Sequence, residues 1–507
     1  MNSLTKSLSK LFSGQPFNGG IHPTGYKELS QETPISTLVS PKRVYLTLQQ
    51  RNGSVLTPIV KVGQHVYKGQ LVAKGPSDMS VPLHSPVNGE VIEIAPYITP
   101  HPSGIKGATL VIENNGNPRW GVKHEPSNPF ELSPETIVRR VLAAGIVGLG
   151  GAGFPTGIKL RLANQKGVHT LLINGGECEP YLTCDDRLMR ENAAEIVSGV
   201  RLMCRAIGAA QAIIAVEDNK PEALQAIERA SSESEEIKVQ TVPSLYPMGS
   251  ERHLIKAVTG QSVPPGQLST TLGILVHNVA TARAVFHAVR YQRPLIERVI
   301  TVSGGAVEKP ANLVVPLGTQ ISQIIAACGG LKMEAARIVA GGPMMGQTIP
   351  SPFVSVDKSM GGILALSQDE VRTEQTHDCV RCGRCVNACP MGLMPFQMAS
   401  HSKASDFDGA KSFGLEHCLL CGACSYVCPS SIPLVQYFQH ARGALNAQRA
   451  MTRKSGQARQ LTEARQLRLA KEAEAKKAAK AAAKAAKSSR RKRPAARRSK
   501  ASTEGEA

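Results

Sequence analysis

The residues best suited to chemistry in this 507-residue sequence are two cysteine runs. The first is Cys379-x-x-Cys382-x-x-Cys385-x-x-x-Cys389-Pro390 and the second is Cys418-x-x-Cys421-x-x-Cys424-x-x-x-Cys428-Pro429. Cysteines so spaced let one loop wrap three corners of an iron–sulfur cubane, and the proline ends the loop after the fourth. In such paired runs the fourth cysteine serves the other cluster. The expected ligands are therefore Cys379, Cys382, Cys385 and Cys428 for one [4Fe–4S] cluster, and Cys389, Cys418, Cys421 and Cys424 for the second. Zinc also binds C-x-x-C pairs, but it gives no reason for the duplicated proline or the identical second copy. Cys178, Cys184, Cys204 and Cys328 lie outside the runs, and Cys204 and Cys328 read as small buried hydrophobes.

Clusters take one electron at a time and a hydride donor gives two, so a flavin is the usual converter between them. A nucleotide site is therefore expected upstream. Gly148-Leu-Gly150-Gly151-Ala-Gly153-Phe154-Pro155-Thr156-Gly157-Ile-Lys159 contains a G-x-G-x-x-G. It follows a helical pattern rather than a strand, so it does not fit the Rossmann fingerprint. As a glycine-dense loop with exposed N–H groups, and with Lys159 to neutralise charge, it suits a phosphate. A second group, Asn174-Gly-Gly-Glu177-Cys178-Glu179-Pro180-Tyr181, comes directly after a buried strand, where ligand loops sit in open α/β sheets. Glu177 and Glu179 could accept hydrogen bonds from ribose hydroxyls or a nicotinamide amide; the alternative is a solvated acidic loop.

These groups need elements to hold them. Residues 1–35 read as an N-terminal arm. Residues 36–120 read as short strands broken by Gly and Pro, a compact β-sandwich similar to the biotinyl/lipoyl carrier fold. Its tip, Pro76-Ser-Asp-Met-Ser-Val, lacks the carrier lysine, so a structural or docking module is expected. Over 130–295, helical patterns (Pro134–Ala144, Ala193–Ile207, Pro221–Ala230) alternate with buried strands (Val168–Asn174, Ala212–Val216), which implies an α/β domain on a mainly parallel sheet. Residues 298–350 resemble a β-grasp (SLBB-like) module, either ligand-binding or simply packed. Residues 365–440 form the helical dicluster domain, and 449–507 an Ala/Lys/Arg-rich tail read as disordered or transiently helical, since no apolar stripe persists to bury. The fold class is thus multidomain α/β.

The net charge is +20, but residues 449–507 hold 19 basic and 5 acidic residues, leaving only +6 for the rest. A polybasic tail attracts nucleic-acid phosphates or anionic lipid alike, or is simply solvated. No zinc finger, aromatic platform or helix-turn-helix pattern supports sequence-specific nucleic-acid binding. No spanning segment is evident, and the N-terminus lacks the apolar run of a signal peptide. Crowded cysteines in such a chain point to a reducing cytoplasm.

Gly150-Gly-Ala-Gly-Phe-Pro-Thr-Gly-x-Lys159 together with Asn174-x-x-Glu-x-Glu-Pro180 resembles the FMN- and NADH-binding subunit of respiratory complex I. The whole layout, from Gly19-Gly-Ile-His-Pro23 through the lysine-free sandwich to the two cluster motifs and basic tail, resembles the C component of the Rnf family of membrane-bound NAD–ferredoxin oxidoreductases. That resemblance covers about residues 15–440. It implies an electron-input subunit of an ion-translocating complex at the cytoplasmic face of the bacterial inner membrane. Electrons would pass between NAD(H), FMN, two [4Fe–4S] clusters and membrane subunits or ferredoxin. It further implies FMN contacts from Gly150, Gly151, Gly153 and Lys159, with Asn174, Glu177, Glu217 and Asn278 lining the pocket. Glu179 and Phe154 would face the nicotinamide nucleotide, and Glu179 and Lys159 would take the catalytic roles. Two positions depart from the complex I pattern: Leu149 stands for an arginine and Gly176 for an acidic residue, which removes a phosphate contact and alters the site. The competing readings are a soluble iron–sulfur redox protein and a redox-sensing, nucleic-acid-associated module.

Overall fold

The computed structural model describes residues 16–38, 40–49, 55–122 and 128–491. The chain divides into a unit ending at Phe438 and a second from Gln439 onward. A two-residue strand, β1 (Ser36–Thr37), leads into the β-sandwich. One sandwich sheet has the order β2-β8-β7-β4, built from β2 (Arg43–Thr47), β4 (His65–Val66), β7 (Gly89–Ile98) and β8 (Lys106–Asn114). The other has the order β3-β5-β6, from β3 (Thr57–Pro58), β5 (Leu71–Lys74) and β6 (Leu83–His84). Val44, Leu46, Val66, Val72, Val91, Leu110 and Ile112 alternate inward to fill the space between them.

The α/β domain begins with α1 (Pro134–Ala143), started by Pro134 at its first position and by Ser133, whose hydroxyl accepts the Thr136 N–H. Next come α2 (Thr156–Gln165), β9 (Thr170–Gly175), α3 (Cys184–Ile207), β10 (Gln211–Glu217), α4 (Pro221–Ser231), β11 (Ile237–Val242), α5 (Glu251–Thr259), β12 (Ile274–Asn278) and α6 (Val279–Tyr291). The four strands are all parallel, in the order β11-β10-β9-β12. Helices cover both faces, which explains why Leu171, Leu172 and Ile173 form an unbroken buried run. Helix α3 begins nine residues before the expected Ala193. Asn192, at φ −129, kinks it and hides the continuity of its pattern.

The third sheet contains β13 (Glu297–Ser303), β14 (Ala311–Pro316), β15 (Arg337–Ala340), β16 (Gln347–Thr348) and β17 (Gly362–Leu366), with α7 (Ile321–Ala327) packed on it. Its order is β1-β14-β13-β17-β15-β16, so it recruits β1 and reaches past residue 350. It also shares a continuous hydrophobic core with the sandwich. The cluster region carries α8 (Arg384–Asn387), α9 (Pro395–Lys403), α10 (Phe407–Ser412) and α11 (Ala423–Tyr426).

A final helix, α12, runs from Leu434 to Arg491. The described part of the tail read as disordered or transiently helical, 449–491, is helical, and 492–507 lie outside the described residues. Ala, Lys, Arg, Gln and Glu are all strong helix formers, and Arg459–Glu463 and Arg468–Glu472 pair across one turn. Propensity accumulated over many turns does here what burial does elsewhere. Among the described residues, no helix is long and apolar enough to cross a membrane.

Candidate functional site

In the parallel sheet the chain leaves β9 for β10 on one side and later returns to β12 on the other. Ligands of open α/β sheets bind outside the carboxyl ends of the strands at such a reversal. The glycine loop meets the strand ends there. A Cβ added to Gly150 would lie 3.2 Å from the Asn278 Cβ, so the absence of a side chain lets the loop lie closely against the end of β12. Asn278 accepts the Ala280 N–H at 2.8 Å, capping α6, and donates to Asp185 Oδ2 at 2.6 Å. Asn174 accepts the Gly176 N–H at 2.8 Å and donates to the Gly249 carbonyl at 2.9 Å. Gly151 and Gly153 hold φ of 106° and 65°, and Phe154 beside them is 39% exposed.

The acidic loop is not solvated. The Glu177 carboxylate is buried and accepts the N–H groups of Asp185 (3.0 Å) and Asp186 (3.2 Å) and the Cys184 thiol (3.2 Å). It thereby satisfies free donors at the positive end of α3. Burial, followed by the Glu177 charge, pushes the Asp185 carboxyl well up. From the far side the ammonium of Lys27 donates to the carbonyls of Glu177 (2.8 Å), Glu179 (3.0 Å) and Leu182 (2.5 Å). Glu217 pairs with buried Lys220, and its Oε1 is buried with no partner. Gly176 lies beside that oxygen, which an added Cβ would approach to 3.5 Å. An orphaned carboxylate oxygen on a glycine-lined wall fits the hydroxyl donors of a flavin's ribityl chain or a ribose.

Glu179 and Lys159 are already engaged. Glu179 accepts the N–H groups of Met344 (3.0 Å) and Met345 (2.9 Å), which ties the acidic loop to the β15–β16 turn. Lys159 donates to the Val276 carbonyl at 2.6 Å and to Glu251 at 3.3 Å, at the edge of the same crevice. Leu149, at the position that departs from the complex I pattern, packs into the core. Two cations that no local motif announces brace the glycine loop from the third sheet. Arg298 donates to the Leu149 carbonyl at 3.3 Å. Lys358, pushed down to about 7 by burial, donates to the carbonyls of Gly145 (2.7 Å) and Pro82 (2.8 Å).

Burial pushes Glu179 from the ordinary 4.5 up to about 7, against the two backbone bonds that pull it down. An acid so raised keeps its proton in the folded chain after the unfolded chain has released it. Its contribution to stability is full below 4.5 and lost as pH rises through about 7. Glu179→Gln is expected to flatten the decline in stability across that window by about 3 kcal/mol. Denaturant melts at a series of pH values measure this, and parallel wild-type and variant curves would refute it.

The cysteines converge on two separate cavities. Cys389, Cys418, Cys421 and Cys424 line one, together with Pro390, Leu393, Met398 and Phe438. Cys379, Cys382, Cys385 and Cys428 line the other, together with Phe396, Pro429 and Ile432. Each cavity thus takes three cysteines from one run and the fourth from the other. Burial pushes Cys421 up to about 12 and Cys424 higher still. Such thiols ionise side by side only against a strongly cationic centre, which iron supplies.

The first cavity is gripped by the α/β domain. Tyr246 donates to the Cys421 carbonyl at 2.6 Å, and His253 Nε2–H donates to the Pro390 carbonyl at 3.0 Å. The N-terminal arm joins them, with Gly20 N–H donating to the Ala388 carbonyl at 3.1 Å. Gly19 sits so close that a Cβ there would come 2.5 Å from the Cys389 oxygen. Cys178, between Glu177 and Glu179 in the acidic loop, packs into the same contact as Tyr246 and Cys421. At the second cavity Cys379 and Cys382 are exposed, and Val380 between them is 69% exposed.

Family models match along most of the chain. They are an RnfC barrel sandwich hybrid domain (15–117), a Nuo51 FMN-binding domain (141–287), an SLBB domain (299–348) and a 4Fe–4S dicluster domain (378–432). The chain carries FMN and [4Fe–4S] clusters accordingly. The C component of an ion-translocating oxidoreductase complex from Rhodobacter capsulatus is 49% identical over 433 residues, covering 85% of this chain and 83% of the relative. The protein of the same name from Haemophilus influenzae is 41% identical, covering 89% and 70%. An NAD+-reducing [NiFe]-hydrogenase in the H2-reduced state is a looser likeness, at 21% identity and a TM-score of 0.46 over 65% of this chain and 69% of that one. It carries no part of the assignment. On the strength of the close relatives, the chain belongs to the RnfC family, the C components of ion-translocating oxidoreductase complexes.

Proposed function

We propose that this chain is the electron-input subunit of an ion-translocating complex, taking electrons from NAD(H) at the crevice between β9 and β12 and handing them singly to partner subunits. FMN, when bound, converts a two-electron hydride into single electrons, and the clusters relay them. The chain's own residues bind and orient. The glycine loop and Asn278 shape one wall, Asn174 and Glu177 fix the loop after β9, and the free Glu217 oxygen offers an acceptor. Phe154 is exposed beside the glycine loop, where a nicotinamide could lie against its ring. Lys159 supplies positive charge at the crevice edge, and Glu179 fixes the acidic loop where the nucleotide would pass.

The carrying observation is the grip of Tyr246 and His253, from the flavin-binding domain, on the loops of Cys421 and Cys389. It supports an order in which the Cys389/Cys418/Cys421/Cys424 cluster receives electrons from the flavin. The Cys379/Cys382/Cys385/Cys428 cluster, at an exposed face, then delivers them to another subunit or to a ferredoxin-like carrier. The ion pathway is assigned to membrane subunits, with this chain held peripherally on the cytoplasmic face of the inner membrane.

An anaerobic NADH titration of the cofactor-loaded chain tests this reading. Flavin absorbance is expected to bleach first and the cluster absorbance to follow. Clusters that respond to reduced ferredoxin while the flavin stays oxidised under NADH would overturn the proposed entry point. Lys159→Ala is expected to lower flavin content about tenfold, the effect of losing a charge-assisted contact, with iron unchanged. Equal flavin retention would remove Lys159 from the site.

A further inference from the structure

The described part of the second unit is one helix, exposed over most of its length, whose last few turns sort their residues by face. Between Ala475 and Lys487 the helix contains only Ala and Lys. At about 100° per residue, Lys476, Lys477, Lys480, Lys484 and Lys487 fall within an arc of about 100°. The eight alanines from Ala475 to Ala486 occupy the rest of the circumference. All five lysines are exposed. Ammonium groups at i, i+4 and i+8 repel one another, and a helix serving only as a solvated spacer gains nothing by aligning them. The row extends about 17 Å along the axis.

We propose that this lysine row is a docking face for a surface of anionic lipid headgroups, and that it holds the subunit against the membrane. The proposal rests on the reading of the chain as a peripheral subunit of a membrane complex and names the residues and the ligand chemistry of that attachment. The composition favours lipid over other polyanions. Lysine is a flexible point charge without the planar fork that arginine uses to recognise a fixed phosphate or carboxylate. The segment has no Trp, Tyr or Leu to anchor in a protein pocket and no aromatic ring to stack on a base. A fluid sheet of anions needs neither, because its headgroups move to meet the row. The alanine face is too weakly apolar to insert, so attachment is superficial and released by salt.

Flotation of the full, cofactor-loaded chain with vesicles tests the proposal, comparing phosphatidylglycerol-containing with pure phosphatidylcholine membranes at low and high salt. Binding is expected only with phosphatidylglycerol and only at low salt. Combining Lys480→Glu, Lys484→Glu and Lys487→Glu is expected to weaken it about 100-fold. A composition-neutral variant, Lys480→Ala with Ala482→Lys and Lys484→Ala with Ala486→Lys, moves two charges to the other face and is expected to weaken it about tenfold. Retained affinity in that variant would show that charge alone suffices and overturn the docking face. Tighter binding to duplex DNA than to anionic vesicles at equal salt would overturn the choice of lipid. Both variants are expected to keep wild-type cofactor content and NADH-dependent dye reduction. If NADH reduces nothing in any of them while vesicle binding persists, it is the electron-input reading that fails.

Discussion

Cys428→Ala is expected to remove the same cluster signal as Cys379→Ala, although 49 residues separate them, and to leave intact the signal that depends on Cys418, ten residues away. The reason is that Cys428 lines the cavity of Cys379, Cys382 and Cys385, while Cys389 crosses to that of Cys418, Cys421 and Cys424. Removing only the hydrogen-bond partner of a metal ligand costs about 10–100-fold, so loss of a ligand itself should cut onward electron delivery by at least about 100-fold. The two sets should fail differently. Without Cys379 or Cys428, NADH still reduces the flavin and the remaining cluster, but nothing leaves the chain. Without Cys418 or Cys424, NADH reduces the flavin alone. Low-temperature EPR with iron analysis separates these outcomes. If Cys428→Ala removes the signal that Cys418→Ala removes, the crossed ligand sets are wrong. If NADH reduces the second cluster as fast without Cys424 as with it, the order of transfer is wrong.

The second large effect is expected at a residue with no part in the chemistry. Lys27→Met leaves the carbonyls of Glu177, Glu179 and Leu182 without their shared donor inside the protein. Unsatisfied buried groups cost about 1–3 kcal/mol each, so a loss near 3 kcal/mol in denaturant melts is expected, allowing for relaxation of the loop. The same loop carries Glu177 and follows Asn174, so flavin affinity should fall by about tenfold or more. Lys27→Arg retains the charge but not a compact ammonium that three carbonyls can surround, and should recover only part of both losses. A melt shifted by less than about 1 kcal/mol, with flavin affinity unaltered, would mean that the lysine is not what holds the loop.

What could be read from the sequence was whatever is carried by neighbours in the chain. Cysteine spacing, the strand at Val168–Asn174 and the helix at Pro221 announce themselves within a dozen residues. Lys27, Arg298 and Lys358 do not, because their partners lie 150, 149 and 276 positions away. A lone lysine among polar neighbours looks like surface until the fold brings carbonyls to it. The acidic loop left two readings open because its burial depends on where α3 begins, and the break at Asn192 concealed that start. Strand β1 has two residues, too few for any periodicity, so its place in the third sheet is invisible locally. At the far end, the absence of an apolar stripe left disorder and transient helix both open, and alanine and lysine sustain a helix without one.

The arm from Gly19 to Ser30 touches residues made much later. Gly20 bonds to Ala388, Lys27 to the loop at 177–182, and the Ser30 carbonyl accepts from Asn312. A ribosome releases this arm well before its partners at Asn312 and Ala388. Contacts this distant in sequence are costly to close and form late. A segment born early is therefore among the last to settle, and its Gly19–Gly20 end settles on the Cys389 loop. The contact of Gly19 and Gly20 with the Cys389 loop ties the seating of this end of the arm to the order of that loop, whereas Lys27 and Ser30 dock elsewhere.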